Sequence, residues 1–227
     1  MFGRLSLSTL VVFMTLVITL LFAATGDAAK ATPKPKPKPT PKPTPKPASG
    51  AITLAQLTKA FAGNCPPKTT GEAITCKDAL PFINAAIKKY KLKTKGQQAA
   101  YIANMAYEGG YLKYDHNLNT HSQGTRSIMP ATSLRIFVNA NKSVQKFWPG
   151  FPAKVDNNKI VDVLIKHHAD FEPGAWWAVS GPGCAKAASR LSSSQSSFIA
   201  WEQACINGGF VDARAAIYKT VYAAIAK

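Results

Sequence analysis

Acidic side chains are scarce in this chain: 11 Asp and Glu stand against 28 Lys and Arg in 227 residues, a formal charge of +17. Chemistry that runs on carboxylates therefore has few candidates, and the charge favours neutral or acidic partners. Cysteines number only four, with no C-x-x-C pair, which removes the common zinc-ribbon and zinc-finger patterns. Histidines also number four, as His116 with His121 and His167 with His168. Neither pair has a third ligand beside it in sequence, and adjacent imidazoles do not easily share one ion, so no metal is expected. No Ser-His-Asp elbow, phosphate loop or EF-hand pattern occurs, and no cofactor is expected.

Two segments precede the part of the chain that can fold. Leu5 to Phe22 is a continuous apolar run behind Arg4, followed by small residues at Ala23, Ala24, Gly26, Ala28 and Ala29. This layout predicts a signal peptide over 1–29, cut between Ala24 and Ala29, and hence a secreted, extracellular or cell-wall-associated protein. The run also has the length to span a bilayer as an uncleaved anchor. Residues 30–48 alternate Lys-Pro and Thr-Pro, a pattern that removes backbone donors and holds the chain extended. The expected linker is a stiff cationic arm. It serves either as a solvated stalk or as a tether to an anionic cell-wall surface. Export argues against a nucleic-acid partner.

Residues 49–227 are one domain's worth of chain. With Arg4 and the six lysines of the linker set aside, 21 basic residues face 10 acids, so this part carries about +11. All four cysteines lie here. In an exported protein the spacing predicts two local disulfides, Cys65 with Cys76 and Cys184 with Cys205, although four cysteines allow three connectivities. A monomer is expected.

Helical periodicity dominates the domain. Thr53 can cap a helix over Leu54 to Phe61, with Leu54, Leu57 and Phe61 inward. Thr75 or Asp78 opens a second, and Thr94 caps a third that runs to Tyr107 or Glu108. Gly109-Gly110 stops that third helix. From Tyr111 to Met129 the helical period is lost, and Asn, Gly, Ser and Thr suggest a hairpin or small sheet with its loop at 117–124. Further helices are expected from Pro130 to Asn141, Ile160 to Ala169, Ser194 to Ile206 and Val211 to Ala226, with a turn or short helix at Gly174 to Trp177. The predicted class is α+β, mostly α, with a small β-hairpin or sheet after the central helix.

Glu108 is the candidate of most interest. A lone carboxyl at the end of a buried helix, shielded by aromatics, can hold a proton for donation to a leaving oxygen. The alternative is a brace bonded to the loop behind it. Asn104 and Tyr101 lie one and two turns back on the same face, and so are candidate ligand contacts. Asp115 is the one carboxylate in the hairpin segment, a candidate base or an exposed turn residue, with Asp170 and Glu172 in reserve. Gln123, Thr125 and Arg126 can line a cleft, or Arg126 can pair with Asp115 or Glu108 across the hairpin. Tyr111 and Tyr114 are candidate stacking surfaces or core, and of the adjacent Trp176 and Trp177 one can reach a cleft.

The sequence Ala99-Ala-Tyr-Ile-Ala-Asn-Met-Ala-Tyr-Glu108-Gly-Gly resembles the stretch in plant-type family 19 chitinases where a helix meets a catalytic Glu. Gln123-Gly-Thr-Arg126-Ser-Ile-Met resembles the Gly-rich strand that follows it in chitinases, goose-type lysozymes and lytic transglycosylases. Together with Gly174-Ala-Trp176-Trp177 and a following cysteine, these segments resemble secreted fungal proteins with a lysozyme-like core. The likeness spans most of 49–227. It implies a lysozyme-like fold with Glu108 as general acid, acting on a polysaccharide or peptidoglycan. The chain departs from family 19 in offering no second Glu in the hairpin segment, so an ordered water or the substrate would assist. The competing expectation is a cationic wall-binding or antimicrobial protein without catalysis.

Overall fold

The computed structural model describes residues 50–206, 209 and 211–227. The expected signal peptide and Lys-Pro linker lie outside the described residues. Ten helices account for most of the described chain: α1 Leu54–Ala60, α2 Cys76–Lys89, α3 Lys95–Glu108, α4 Ala131–Ala140, α5 Lys142–Gln145, α6 Ile160–Lys166, α7 Glu172–Ser180, α8 Cys184–Ala188, α9 Gln195–Cys205 and α10 Val211–Ile225. Among the described residues no helix is long and apolar enough to cross a membrane.

Local chemistry starts these helices where the sequence predicts. Thr53, Thr75 and Thr94 each accept a backbone N–H from the first turn, and Gln56 and Gln97 complete reciprocal capping boxes at α1 and α3. Each such cap is worth about 1 kcal/mol. A disulfide between Cys65 and Cys76 staples the loop after α1 to the first residue of α2. By loop-closure entropy it contributes about 3 kcal/mol.

The apolar faces assemble into two cores. In the larger, α3 is buried on every side from Gln98 to Ala106, which marks a central helix rather than a surface one. Helices α10 and α7 pack directly on it, with α1 and α9 against α10. Phe61, Ile83, Ile102, Met105, Trp201 and Tyr218 fill the space between them. Leu54, expected to face inward, stays exposed because the inward stripe of the short α1 runs through Leu57 and Ala60. The smaller core gathers Leu134, Phe137, Val144, Trp148, Ile160 and Leu164 from α4–α6 and their connections.

The predicted hairpin after α3 does not form among the described residues. The segment makes only single bridges, His116 with Gly124 and Gly124 with Met129. Thr125 and Ile128 take positive φ angles of 68° and 40°, which interrupt any extended run, and an Asn117 side chain turns the loop by accepting the N–H groups of Asn119 and Thr120. The class is thus mostly α.

Candidate functional site

The last turn of α3 reaches the surface at the seam between the two cores. Its final residue, Glu108, keeps 22 % of its side chain exposed. Gly109 ends the helix there, and a Cβ on it would stand 2.9 Å from the Arg126 carbonyl oxygen, so the chain can fold back tightly only with glycine at that position.

Two clefts meet at this carboxylate. One, of about 200 Å³, is lined by Tyr101, Asn104, Glu108, Ser133, Trp177 and Arg214, among others. The second, of about 300 Å³, is lined by Tyr107, Glu108, Tyr114, His116 and Asn117–Asn119. Glu108 and Ile128 belong to both. Among the described residues lining either cleft, Glu108 is the only carboxylate.

Glu108 is not alone electrostatically. Arg214, on the first turn of α10, donates through Nη2 to Glu108 Oε1 at 2.5 Å and through Nη1 to Asn104 Oδ1 at 2.7 Å. Its Nε donates to the Gly209 carbonyl and stands 3.2 Å from Glu202 Oε1, and the guanidinium lies 4.2 Å from the Tyr107 ring centroid. Glu202 is fully buried on α9. Burial pushes its carboxyl up to about 7, with Arg214 pulling it down and Glu108 adding to the rise. One guanidinium thus serves two carboxylates, one at the surface and one beneath it. The charge on Glu108 thus bears on the proton of the buried Glu202 through the guanidinium between them.

The structure brings together Tyr101, Asn104, Glu108 and Trp177 of the predicted site residues. Tyr101 forms part of the floor, its hydroxyl donating to the Phe171 carbonyl at 2.9 Å. The Trp177 indole N–H donates to the Cys205 carbonyl at 2.9 Å, which fixes the ring at the wall. Trp176 turns into the smaller core against Phe137.

The rest of the predicted set stands elsewhere. Asp115 is 4 % exposed, with Oδ1 2.8 Å from His116 Nδ1 and Oδ2 3.2 Å from Arg126 Nη2, so neither oxygen is left to activate a water. Burial raises its carboxyl against the pull of Arg126 and His116. Arg126 is buried between Asp115 and Asp170, donating Nε to Asp170 Oδ2 at 2.8 Å and Nη1 to the Glu72 carbonyl at 2.7 Å. It locks the loop to α7's approach instead of lining a cleft. Thr125 is fully buried, Gln123 accepts from the Asn117 side chain within the loop, and Tyr111 packs edge-on to Phe61 in the main core. Glu172 is held by Lys89 and by the Tyr90 hydroxyl. The second expected disulfide is absent: Cys184 and Cys205 are buried free thiols. Cys184 Sγ donates to the Pro182 carbonyl at 3.8 Å, and the neighbouring Cys184 together with burial pushes the Cys205 thiol up.

Arg214 and Glu202 are functional candidates that local sequence reasoning misses. Both nonetheless leave a trace. Arg214 shares a helical stripe with Tyr218, Val221 and Ile225, and Glu202 shares one with Phe198, Trp201 and Cys205. A charge in each of two consecutive core stripes is the signature of a buried ion pair.

Comparison of the chain with models of known protein families, with curated proteins and with solved structures returned no match.

Proposed function

We propose that the protein is a glycoside hydrolase of lysozyme-like type, cleaving β-1,4-linked N-acetylated cell-wall glycans, either peptidoglycan or chitin. The observation that carries this reading is a single carboxyl at the junction of two clefts, seated on the rigid end of a central helix. A glycan laid along the seam would present its linking oxygen to Glu108, with sugar rings to either side. Trp177 and Tyr114 offer apolar faces for those rings, and Asn104, Ser133, Asn117 and Asn119 offer hydrogen bonds.

In this reading Glu108 gives its proton to the leaving oxygen as the C–O bond breaks. The positive charge that develops at the anomeric carbon of the sugar left behind is met by water or by the substrate's own acetamido group, since no second carboxylate lines the clefts among the described residues. Arg214 balances the charge left on Glu108 once its proton has gone. The same pairing favours the ionised carboxyl, so the acid role requires bound glycan to loosen that contact and let Glu108 take up its proton from solvent. The +17 charge of the chain and the expected secretion fit an anionic wall better than a cationic polymer such as chitosan.

A second reading has its own observation. The close Arg214–Glu108 pair is also what a structural brace looks like, and a cationic wall-binding protein without turnover would retain it. The two readings part on Glu108→Gln. Soluble-sugar release from peptidoglycan or chitin that disappears in this variant supports the hydrolase. Salt-sensitive wall binding with no release from the wild type, lost on removing 30–48, supports the binder.

A further inference from the structure

On the far side of the second cleft, the loop after α3 meets the first turn of α6. His116 Nε2 lies 3.1 Å from Asp162 Oδ1, and His121 Nε2 lies 3.5 Å from the same oxygen. The two imidazoles stack at 4.5 Å, 5° from parallel, and all three candidate ligand atoms fall within 4.8 Å of one another. We infer that His116, His121 and Asp162 form a binding site for a divalent transition-metal ion of the zinc class, which ties the loop to α6 at the rim of the Glu108 cleft.

Three features carry the assignment. The donor set is two imidazole nitrogens and one carboxylate oxygen, which suits zinc and not calcium or magnesium. The spacing is close: metal–ligand arms of about 2.0–2.2 Å in a tetrahedron put neighbouring ligands about 3.3–3.6 Å apart, and of the observed separations 3.5 Å lies in that range and 3.1 Å, a hydrogen bond in this structure, just below it.

The third feature is the support behind His116. Its Nδ1 lies 2.8 Å from Oδ1 of the buried Asp115, whose other oxygen is held by Arg126. Glu72 Oε2 accepts the backbone N–H groups of both Asp115 and His116. A carboxylate on Nδ1 holds a proton there and leaves Nε2 as the ligand atom; in this structure Nε2 bonds Asp162 Oδ1, and an ion would take the place of the proton between them, with Asp115 as the second layer that metal-bound histidines characteristically have. His121 is exposed, so its ring can turn from the stack to converge on an ion. Three protein ligands leave a fourth position open. In sequence no third ligand stands near His116 and His121; the fold supplies it from α6.

The site is tested by binding, independently of any glycan. Untagged protein is stripped with chelator and titrated calorimetrically with Zn²⁺, and with Co²⁺ while visible absorption is followed. One ion per chain is expected at low-micromolar affinity or tighter, with the d–d bands of a tetrahedral Co²⁺ site and no comparable Ca²⁺ or Mg²⁺ binding. His121→Ala and Asp162→Asn alter exposed side chains, and each should weaken Zn²⁺ at least tenfold. Asp115→Asn should weaken it about 10–100-fold while leaving the three ligands in place. His167→Ala serves as the control and should change nothing. Absence of Zn²⁺ binding, or binding that survives both His121→Ala and Asp162→Asn, overturns the proposal. Loss of glycan turnover in Glu108→Gln bears on the hydrolase reading alone, so the two can fail separately.

Discussion

Glu202 makes the stability of this protein depend on pH in a direction opposite to that of an ordinary salt-bridged acid. Its carboxyl is raised from the usual 4.5 to about 7 in the fold, chiefly by burial. The native state therefore keeps the proton in a range where the unfolded chain releases it. Between pH 4.5 and about 7 the unfolded state binds fewer protons than the native state, so unfolding free energy falls as pH rises. The contribution is fully present below 4.5 and lost above about 7. The gap, at about 1.4 kcal/mol per pH unit, amounts to about 3 kcal/mol. In a domain of this size that corresponds to a melting shift of about 6–12 °C. Glu202→Gln keeps the shape and removes the titration. Urea unfolding of both proteins from pH 4 to pH 8 isolates the effect, because other titrating groups cancel in the difference. The variant should gain on the wild type by about 3 kcal/mol across this range, with the change centred near pH 6. A difference curve that stays flat with pH would refute the reasoning, and with it the view that Arg214 only partly offsets the burial of Glu202.

Glu108→Gln should abolish sugar release with little change in melting temperature, because the amide oxygen can still accept from Arg214; unchanged turnover in assays of soluble sugar would end the hydrolase reading. Arg214→Ala removes the one influence that holds Glu202 down and leaves Asn104 and Glu108 unbridged, so urea unfolding should reveal a loss of stability that grows as pH rises above about 7; a loss independent of pH would count against the pairing. Thiol labelling of protein denatured without reductant should add two labels per chain by mass, on Cys184 and Cys205, and four after reduction; no labels before reduction would mean that a second disulfide exists. Reduction of Cys65–Cys76 should lower the unfolding free energy by about 3 kcal/mol.

Local physics made much of the helical frame readable. Three threonine caps, two with reciprocal glutamines, mark helix starts that depend on the next three residues alone. The end of α3 at Gly109-Gly110 was legible for the same reason. The loop after it was not. A run of Asn, Gly, Ser and Thr reads as hairpin, yet Thr125 and Ile128 adopt positive φ on either side of an Arg126 that is paired with Asp115 and Asp170. Asp170 lies 44 positions further on, before α7, and no window of periodicity contains it. The same holds at the cleft. Tyr101, Asn104 and Glu108 follow from the helical repeat, whereas Arg214 reaches Glu108 across 106 positions of sequence. Cys184 and Cys205 were expected as a disulfide and stand as free thiols, because spacing in sequence does not decide between a covalent bond and a contact.

The complete burial of α3 acts as a ruler for the carboxylate at its end. Each helical residue advances the chain 1.5 Å and turns it by about 100°. Inserting or deleting one residue anywhere between Gln98 and Ala106 would thus swing Glu108 away from the seam and drag a buried stripe out of register with α10 and α7. Drift in sequence can alter the loop of residues 110–130 or the stretch between α5 and α6, and so reshape the walls and change what fits between them. It cannot slide the acid along the groove. Variants selected for new ligands should accordingly carry their length changes in those loops and none within α3.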